Sequence, residues 1–195
     1  MKLRKILVLF LLIIVFGKVT TALGQEKFER EFNIQAAEAP APARVFIDNC
    51  DFDRKIKWYK EESQEGISFE AKTKFSGNWF SIEFDTLGVV EDVEKKVSKR
   101  ELDLPEIEKI NIALSDKFSK FKITKIQKQW KASAKDLQSL IFTGSAQGAF
   151  DLAYEVVVRG KSEKHWHTYE VLINPCGEVL KILKIVRRNT DNIEL

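Results

Sequence analysis

Residues 80–97, FSIEFDTLGVVEDVEKKV, decide the fold, because residues 169–186, YEVLINPCGEVLKILKIV, follow the same pattern. The two stretches align without a gap, and Gly88 of the first then falls on Gly177 of the second. Each stretch alternates apolar and polar residues, has a four-residue turn that ends in glycine, and alternates again. Alternation with a period of two is typical of a half-buried strand, and glycine supplies the positive φ that such turns commonly need. Each stretch therefore predicts an antiparallel hairpin.

The segments that precede the two hairpins extend the similarity. Strand-like alternation covers four further segments: 54–61 and 67–75 before the first hairpin, and 121–130 and 150–159 before the second. Helices are predicted at about 42–49, where proline fits the first turn, and at 105–119, which has an apolar face. We therefore predict an α+β fold of two tandem units, each a helix packed on a four-stranded antiparallel sheet. The units are 40–98 and 105–187, and the second contains an insertion at 131–149 with a short helix of its own.

Residues 1–24 have the pattern of a signal peptide. A basic start is followed by an uninterrupted apolar run of 11 residues at 6–16, and the small residues Ala22 and Gly24 stand before Gln25. The apolar run is too short to span a bilayer comfortably. Cleavage and export to the periplasm or beyond are therefore favoured over an uncleaved membrane anchor, and no membrane-embedded segment is expected after cleavage.

The charge of the chain gives no electrostatic case for nucleic-acid binding. The full sequence has 32 basic and 29 acidic side chains, but residues 1–24 hold four of the basic ones and none of the acidic ones. The rest of the chain is therefore close to neutral. Because binding through phosphates requires a basic surface, we expect no nucleic-acid partner.

No residue pattern assembles a catalytic or metal centre. His165 and His167 would face the same side of a strand, so a metal pair is geometrically possible, but no third ligand is near. A partly buried strand start, with both rings on the core side, is the favoured interpretation. The carboxylates lie in turns or alternate with lysines, as on solvated faces, and no nucleophile, base and orienting group come together. We predict a protein that is not an enzyme, with no cofactor and no metal site.

The two cysteines, Cys50 and Cys176, are too few for a disulfide scaffold. They could pair in an oxidising compartment. Cys50 ends the first helical segment, however, whereas Cys176 lies in the second hairpin turn, and no rule brings these two points together. Two free thiols are favoured, and a bonded pair stays open.

Several short stretches resemble a known group of exported proteins. They are WYKE at 58–61, SFEAK at 68–72, VEDVE at 90–94, KIQKQ at 125–129 and YEVL at 169–172. In these stretches the chain is similar to the PepSY-like, β-lactamase-inhibitor-like exported proteins of Bacteroidetes-type bacteria, and the resemblance covers about 31–187. It implies tandem helix-plus-sheet units, export and no catalytic activity. It carries over no active-site residue and does not establish inhibition of a β-lactamase.

One face of the second hairpin is apolar where the first hairpin is charged. Aligned positions on that face pair Glu83, Glu94 and Lys96 with Leu172, Leu183 and Ile185. Trp166 has the same parity as these aliphatic residues. Since a monomer seldom leaves a large apolar patch in water, we predict that Trp166 and the three aliphatic residues form the centre of a contact. The contact could be with a protein partner, a second copy of the chain, the insertion or the chain's own N-terminal arm at 25–39.

The expected function is that of a non-enzymatic exported binding module that engages a protein partner through a sheet face. Inhibition of a periplasmic hydrolase is one form that this function could take. The alternative is a periplasmic binder of a peptide or glycan in the groove of the sheet, because Tyr59, Trp79 and Trp166 on the open face would suit stacking on sugars. Residues 188–195 are predicted to be a polar tail, and their sequence indicates no function.

Overall fold

The computed structural model describes residues 25–162 and 164–186. The predicted signal peptide at 1–24 and the predicted polar tail at 188–195 lie outside the described residues.

Ten strands form one sheet in the described part of the chain. They are β1 Gln25–Lys27, β2 Glu29–Ile34, β3 Lys57–Ser63, β4 Gly66–Phe75, β5 Asn78–Phe84, β6 Val90–Val97, β7 Lys120–Ala132, β8 Phe150–Ser162, β9 His165–Ile173 and β10 Val179–Ile185. From β2 to β10 each strand pairs antiparallel with the next, and β1 pairs parallel with β10. Because a single residue separates β1 from β2, one chain segment joins both edges and the sheet is nearly closed, with a barrel-like shape.

Three helices in the described residues pack on one face of this sheet, the helix face. They are α1 Ala41–Asp48, α2 Leu104–Ser115 and α3 Ala134–Thr143. α2 begins with a reciprocal cap, in which the Asp103 carboxylate accepts from the Glu106 amide at 2.8 Å and the Glu106 carboxylate accepts from the Asp103 amide at 2.9 Å. α3 is capped by Ser133 and ends at Gly144, whose φ of 72° is left-handed.

Two hydrophobic clusters lie between the helices and the sheet. In the first, Phe46 of α1 and Leu137 of α3 pack with sheet residues such as Phe84. In the second, α2 and the segment after it pack on β6–β9, with these buried members: Val97, Ile110, Leu114, Phe118, Val156, Val171 and Tyr169. The fit is close, because a Cβ added at Gly160 would lie 2.5 Å from the ring of Phe118. The carboxylate of Glu106 ties α2 to the sheet, since it accepts from Lys128 Nζ at 2.7 Å and from the Tyr154 hydroxyl at 2.5 Å.

The prediction of two tandem units, each with its own four-stranded sheet, is wrong. In two separate units, β6 and β7 would each lie at the edge of a different sheet. Instead they pair along 93–97 and 126–130, so the sheet is continuous. α3 comes from the predicted insertion at 131–149, yet it packs in the first cluster with α1. An unpaired strand edge exposes a row of hydrogen-bonding groups, and pairing β6 with β7 removes two such edges at once.

The two predicted hairpins are present, and their turns use the same hydrogen bonds. The Asp85 carboxylate accepts from the amides two and four residues later at 2.9 and 2.8 Å. The Asn174 side-chain oxygen accepts from the equivalent amides at 3.0 and 2.9 Å. Gly88 and Gly177 have φ values of 82° and 90°. A Cβ at Gly88 would lie 2.8 Å from the amide nitrogen of Ala43, so this glycine also lets the turn contact α1.

The N-terminal arm at 25–39 joins the sheet edge to edge instead of lying over the apolar face. Its first part is β1 and β2, and a short 3-10 helix follows at Ala36–Glu38. Lys27 Nζ holds β1 in place through Glu170 of β9 at 3.0 Å. On the other side, the Gln64 side chain donates to the Glu26 carbonyl at 2.8 Å. The arm therefore shapes the face opposite the helices, the inner face, by closing it laterally.

Candidate functional site

The inner face of the sheet surrounds a cavity of about 540 Å³, named here the acidic cavity. Acidic residues outnumber lysines eleven to three among the residues that line it. The acids occupy alternate strand positions: on β3 and β5, buried Trp58 and Ile82 point to the helices, while Glu61 and Glu83, at positions of the opposite parity, point inward. The same alternation that builds the hydrophobic clusters on one side therefore builds an acidic wall on the other.

Carboxylates face one another directly across neighbouring strands of the inner face. Glu70 of β4 is the register partner of Glu83 of β5, and Glu83 is also the partner of Asp92 of β6. Like charges in directly opposed positions destabilise a sheet. Burial raises the pKa of Glu83 well above its usual range, and the neighbouring Asp92 and Glu70 raise it further. The arrangement therefore favours protonated carboxyl groups when the cavity is empty of cations.

Two further carboxyls of the cavity have raised pKa values. Burial raises the pKa of Asp92 to about 7, against the opposing effect of Lys131, and nearby acids such as Glu155 add to the rise. Burial also raises the pKa of Glu94 well above its usual range, helped by Glu155 and Glu83. The amide of Gln127 donates to Glu94 at 2.6 Å. Both carboxyls therefore keep their protons to a higher pH than an ordinary carboxyl does.

At the closure of the sheet, Glu61 and Glu29 form a carboxyl pair. Burial raises the pKa of Glu61, and its hydrogen bond with Glu29 raises it further. The pKa of Glu29 is lowered despite burial, because it accepts from Glu61 and lies 2.9 Å from Lys27 Nζ. Glu61 therefore holds the proton and Glu29 holds the charge.

Asp92 has a buried oxygen that lacks a partner. The residue is 7% exposed and lines the acidic cavity. Its Oδ2 accepts from the Gln129 amide at 3.2 Å and lies 3.8 Å from Lys131 Nζ. Its Oδ1 has no hydrogen-bond partner among the described residues. Because a buried polar atom without a partner costs roughly 1–3 kcal/mol, this oxygen indicates a place for an external donor.

One group of carboxylates in the described residues has the spacing of a metal site. The ligand oxygens of Glu31, Glu61 and Glu70 lie within 4.8 Å of one another. The ammonium group of Lys72 already contacts two of them, with Glu70 Oε2 at 2.7 Å and Glu31 as its second partner. A lysine therefore supplies the positive charge at this point.

The six residues predicted from the sequence as binding residues are divided between two places. Leu172 and Leu183 line the acidic cavity, and Ile185 is the register partner of Lys27. Tyr59 lies on the inner face under Lys72, whose Nζ is 4.7 Å from the ring centroid. The two tryptophans, Trp79 and Trp166, are 51% and 46% exposed at the other end of the strands.

The acids that dominate the site were misinterpreted from the sequence. Glu61, Glu70, Asp92, Glu94 and Glu155 are all buried, so the expectation that such carboxylates lie on solvated faces is wrong for them. The sequence does contain a pattern that indicates an acidic face, because acids recur at positions of one parity on consecutive strands. This pattern alone does not predict a cavity, because the acids become buried only when the sheet closes on itself.

The histidines and cysteines contribute nothing to the acidic cavity. His165 is exposed, contrary to its predicted place on the core side, and His167 is half-buried, with 6.4 Å between the two ring centroids. The favoured interpretation of the cysteines is confirmed, since Cys50 is buried and free and Cys176 is exposed and free. Burial raises the pKa of the Cys50 thiol to about 11, which makes it unreactive at neutral pH.

Comparison with known proteins finds no matching protein-family model and no matching curated protein. Solved structures do resemble the chain. A DUF2874 family protein from Bacteroides uniformis has a TM-score of 0.49 and 12% identity over 75% of this chain and 89% of its own. A Bacteroides eggerthii protein that is provisionally described as periplasmic has a TM-score of 0.48 and 14% identity over 75% of this chain and 88% of its own.

A DUF2874 family protein from Bacteroides ovatus is similar to the same degree, with a TM-score of 0.47 and 12% identity over 75% of this chain and 87% of its own. All three come from Bacteroides. Their descriptions name neither a PepSY-like nor a β-lactamase-inhibitor-like protein.

A search of the described residues for membrane-spanning helices finds none that is both long and apolar enough.

Proposed function

We propose that the chain is a non-enzymatic exported binding module whose acidic cavity takes a ligand with ammonium or guanidinium groups, such as a basic peptide segment. The observation that carries this function is the buried Oδ1 of Asp92, which has no hydrogen-bond partner among the described residues and lies on the cavity wall. An N–H donor with positive charge would satisfy this oxygen and would offset the repulsion among the neighbouring carboxylates.

The size and the apolar part of the cavity favour an organic cation over a bare metal ion. About 540 Å³ lies within the range of roughly 300–1,000 Å³ that small-ligand sites occupy. Leu172 and Leu183 stand beside the acids on the wall. A lysine or arginine side chain has both an apolar stem and a charged head, so the two leucines can contact the stem while the carboxylates hold the head.

A sheet that closes on itself changes how a partner reaches this face. A folded protein cannot lay a flat surface on it, whereas an extended segment can enter. The groove-binding alternative raised from the sequence is therefore better supported than contact through an open face, and inhibition of a periplasmic hydrolase would require insertion of a segment of that hydrolase. Export and the PepSY-like, β-lactamase-inhibitor-like identity belong to the same proposal, supported by the signal-like residues 1–24 and the quoted sequence stretches.

Titration calorimetry with the peptide Gly-Lys-Gly-Lys-Gly, and with the same peptide acetylated on both lysines, tests this function. We expect the basic peptide to bind and the acetylated one to fail. Because cavity carboxyls with raised pKa values must ionise to pair with the ligand, binding at pH 7 should release protons, and the measured heat should differ between phosphate and Tris buffers.

Asp92→Asn keeps an acceptor for Gln129 but removes the charge, and it should weaken binding about tenfold or more. The matched control is Glu62→Gln, which removes a carboxylate from the opposite side of β3, where Glu62 pairs with Lys60 at 2.7 Å. Equal binding of both peptides, or an equal loss in the control, would show that the cavity is not a cation site.

A further inference from the structure

A second charged surface lies on the inner face, at the opposite end of the strands from the acidic cavity. It is named here the basic rim and consists of Lys74, Trp79 and Lys96 on β4–β6 with Lys122, Arg159 and Trp166 on β7–β9. We propose that the basic rim binds an anionic polysaccharide, at a site separate from the cation site of the acidic cavity.

Strand register places the rim residues on the inner face. Arg159 follows Glu155 by four residues on β8, and Trp166 precedes Glu170 by four residues on β9. Residues at even separations on a strand share a face, and four residues span about 13 Å. The rim and the cavity are therefore two zones of one surface, separated along the strand axis.

Each half of the rim has a tryptophan with a cation beside it. Lys74 is the register partner of Trp79, and its Nζ is 6.0 Å from the centroid of that ring. The guanidinium carbon of Arg159 is 5.9 Å from the centroid of Trp166. Lys122 is the register partner of Arg159 and adds a second cation there.

The four cations of the rim are exposed, and none forms an ion pair with another described residue. Lysines deeper on the inner face behave differently: Lys27 and Lys125 each pair with a carboxylate, at 2.9 and 3.0 Å. The one acid beside Trp79 in this region, Glu101, accepts from the Ser98 amide at 2.7 Å as a helix cap. The positive charge of the rim is therefore available to an external anion.

A groove adjoins the first half of the rim and reaches β7. It has a volume of about 490 Å³ and runs from Trp79 and Lys96 to Thr124 and Lys125 of β7. The tryptophans lie on strands four positions apart in the sheet, which is about 19 Å at the usual strand spacing and less across a curved sheet. A short extended chain can contact both rings at once.

Anionic sugars match both features of the rim. The C–H faces of sugar rings stack on exposed aromatic rings, and carboxylate or sulfate groups pair with lysine and arginine. Single-stranded nucleic acid also stacks on aromatic rings and pairs with cations. The export pattern of residues 1–24 favours the sugar, because polysaccharides are the abundant polyanions outside a cell.

The test uses a hexamer of galacturonate, its fully methyl-esterified form, and a six-nucleotide oligothymidylate, each titrated against the purified protein. We expect the charged hexamer to bind, to weaken as salt is raised, and to bind at least tenfold more tightly than the ester. Tighter binding of oligothymidylate with the same dependence on the tryptophans would overturn the proposal in favour of nucleic acid. Failure of all three probes to bind would overturn it outright.

Variants locate the site. Trp79→Ala and Trp166→Ala should each weaken hexamer binding about threefold to tenfold, and Arg159→Gln should do the same. The matched control is Arg30→Gln, because Arg30 stacks 5.6 Å from the Phe32 centroid on the other side of the sheet. An equal loss in this control would exclude the rim. Asp92→Asn should leave hexamer binding unchanged, so the rim and the cation site can fail independently.

Discussion

The two ends of the inner face carry opposite charge although they lie on the same strands. Glu70 and Glu155 are buried at one end, whereas Lys74 and Arg159, four residues further along β4 and β8, are exposed. Burial raises the pKa of carboxyl groups at the cavity end, such as Glu83, whereas the cations at the rim are exposed. Near-neutral total charge therefore conceals two surfaces of opposite character, and the position along a strand decides which surface a residue joins.

The pH dependence of stability should show the largest effect. The pKa of Asp92 in the folded chain is about 7 against an ordinary value of 3.8, so between these pH values the folded chain binds more protons than the unfolded chain. The free energy of unfolding should then fall by about 4 kcal/mol as the pH rises from about 4 to above 7. Glu83 and Glu94 act in the same direction. Urea titrations at pH 4 and pH 8 measure this change; equal stability at the two pH values would contradict the raised pKa of Asp92.

Removal of a cavity cation should have the next largest effect. Lys27 contacts Glu29 and Glu170 at 2.9 and 3.0 Å, and Lys27→Met leaves both acids without it. The free energy of unfolding should fall by about 3 kcal/mol at pH 8, because removing one partner of a partly buried ion pair leaves uncompensated charge. Lys122→Met on the rim is the comparison, and it should change stability little. Similar losses in the two variants would contradict the distinction between the ends.

Removal of a cavity carboxylate should have a smaller effect than removal of Lys27, and it should raise the free energy of unfolding instead of lowering it. Asp92→Asn should raise the free energy of unfolding by about 2–3 kcal/mol more at pH 8 than at pH 5, because Asp92 in the folded chain is largely protonated at pH 5 and ionised at pH 8. Thermal melts of both proteins at the two pH values give the difference. A loss of stability at pH 8 would indicate that the hydrogen bond from Gln129 outweighs repulsion from the neighbouring acids.

Changes at the basic rim should have the smallest effect on stability. Arg159→Gln should shift the free energy of unfolding by less than about 0.5 kcal/mol, since the residue is exposed and has no ion pair with a described residue. Chemical denaturation at low and high salt measures this. A larger loss would mean that the contact between Arg159 and Trp166 holds the sheet together and is not available to a ligand.

Local features of the fold were predictable, whereas long-range pairing was not. The turns at Gly88 and Gly177 are held by hydrogen bonds between residues at most four positions apart, and the sequence predicts them. The pairing of β1 with β10 joins segments more than 150 residues apart, and no local pattern encodes it. α1 turns Ala43, Phe46 and Ile47 toward the sheet and leaves Val45 57% exposed, a rotation that the sequence pattern of this helix did not predict.

The site was predictable only in its apolar part. Leu172 and Leu183 stood out because the first hairpin has charges at the aligned positions, and both line the acidic cavity. Strand alternation gives the same pattern whether a polar face meets water or closes on itself. Asp92 and Glu94 could therefore not be separated from surface acids by periodicity, since their burial follows from the closure of the sheet.

The short strand β1 gives this closed sheet a seam. Among the described residues, three positions, Gln25–Lys27, join the arm to β10, whereas β7 and β8 pair along twelve positions. A seam of this length is the easiest part of the ring to open, and its amide hydrogens should exchange with solvent before those of β8. Once open, β10 offers a bare edge to the arm of a second molecule, and reciprocal exchange of arms produces a swapped dimer. Concentrated protein held near its melting temperature should accumulate that dimer, with the acidic cavity of each half rebuilt by the other's Lys27.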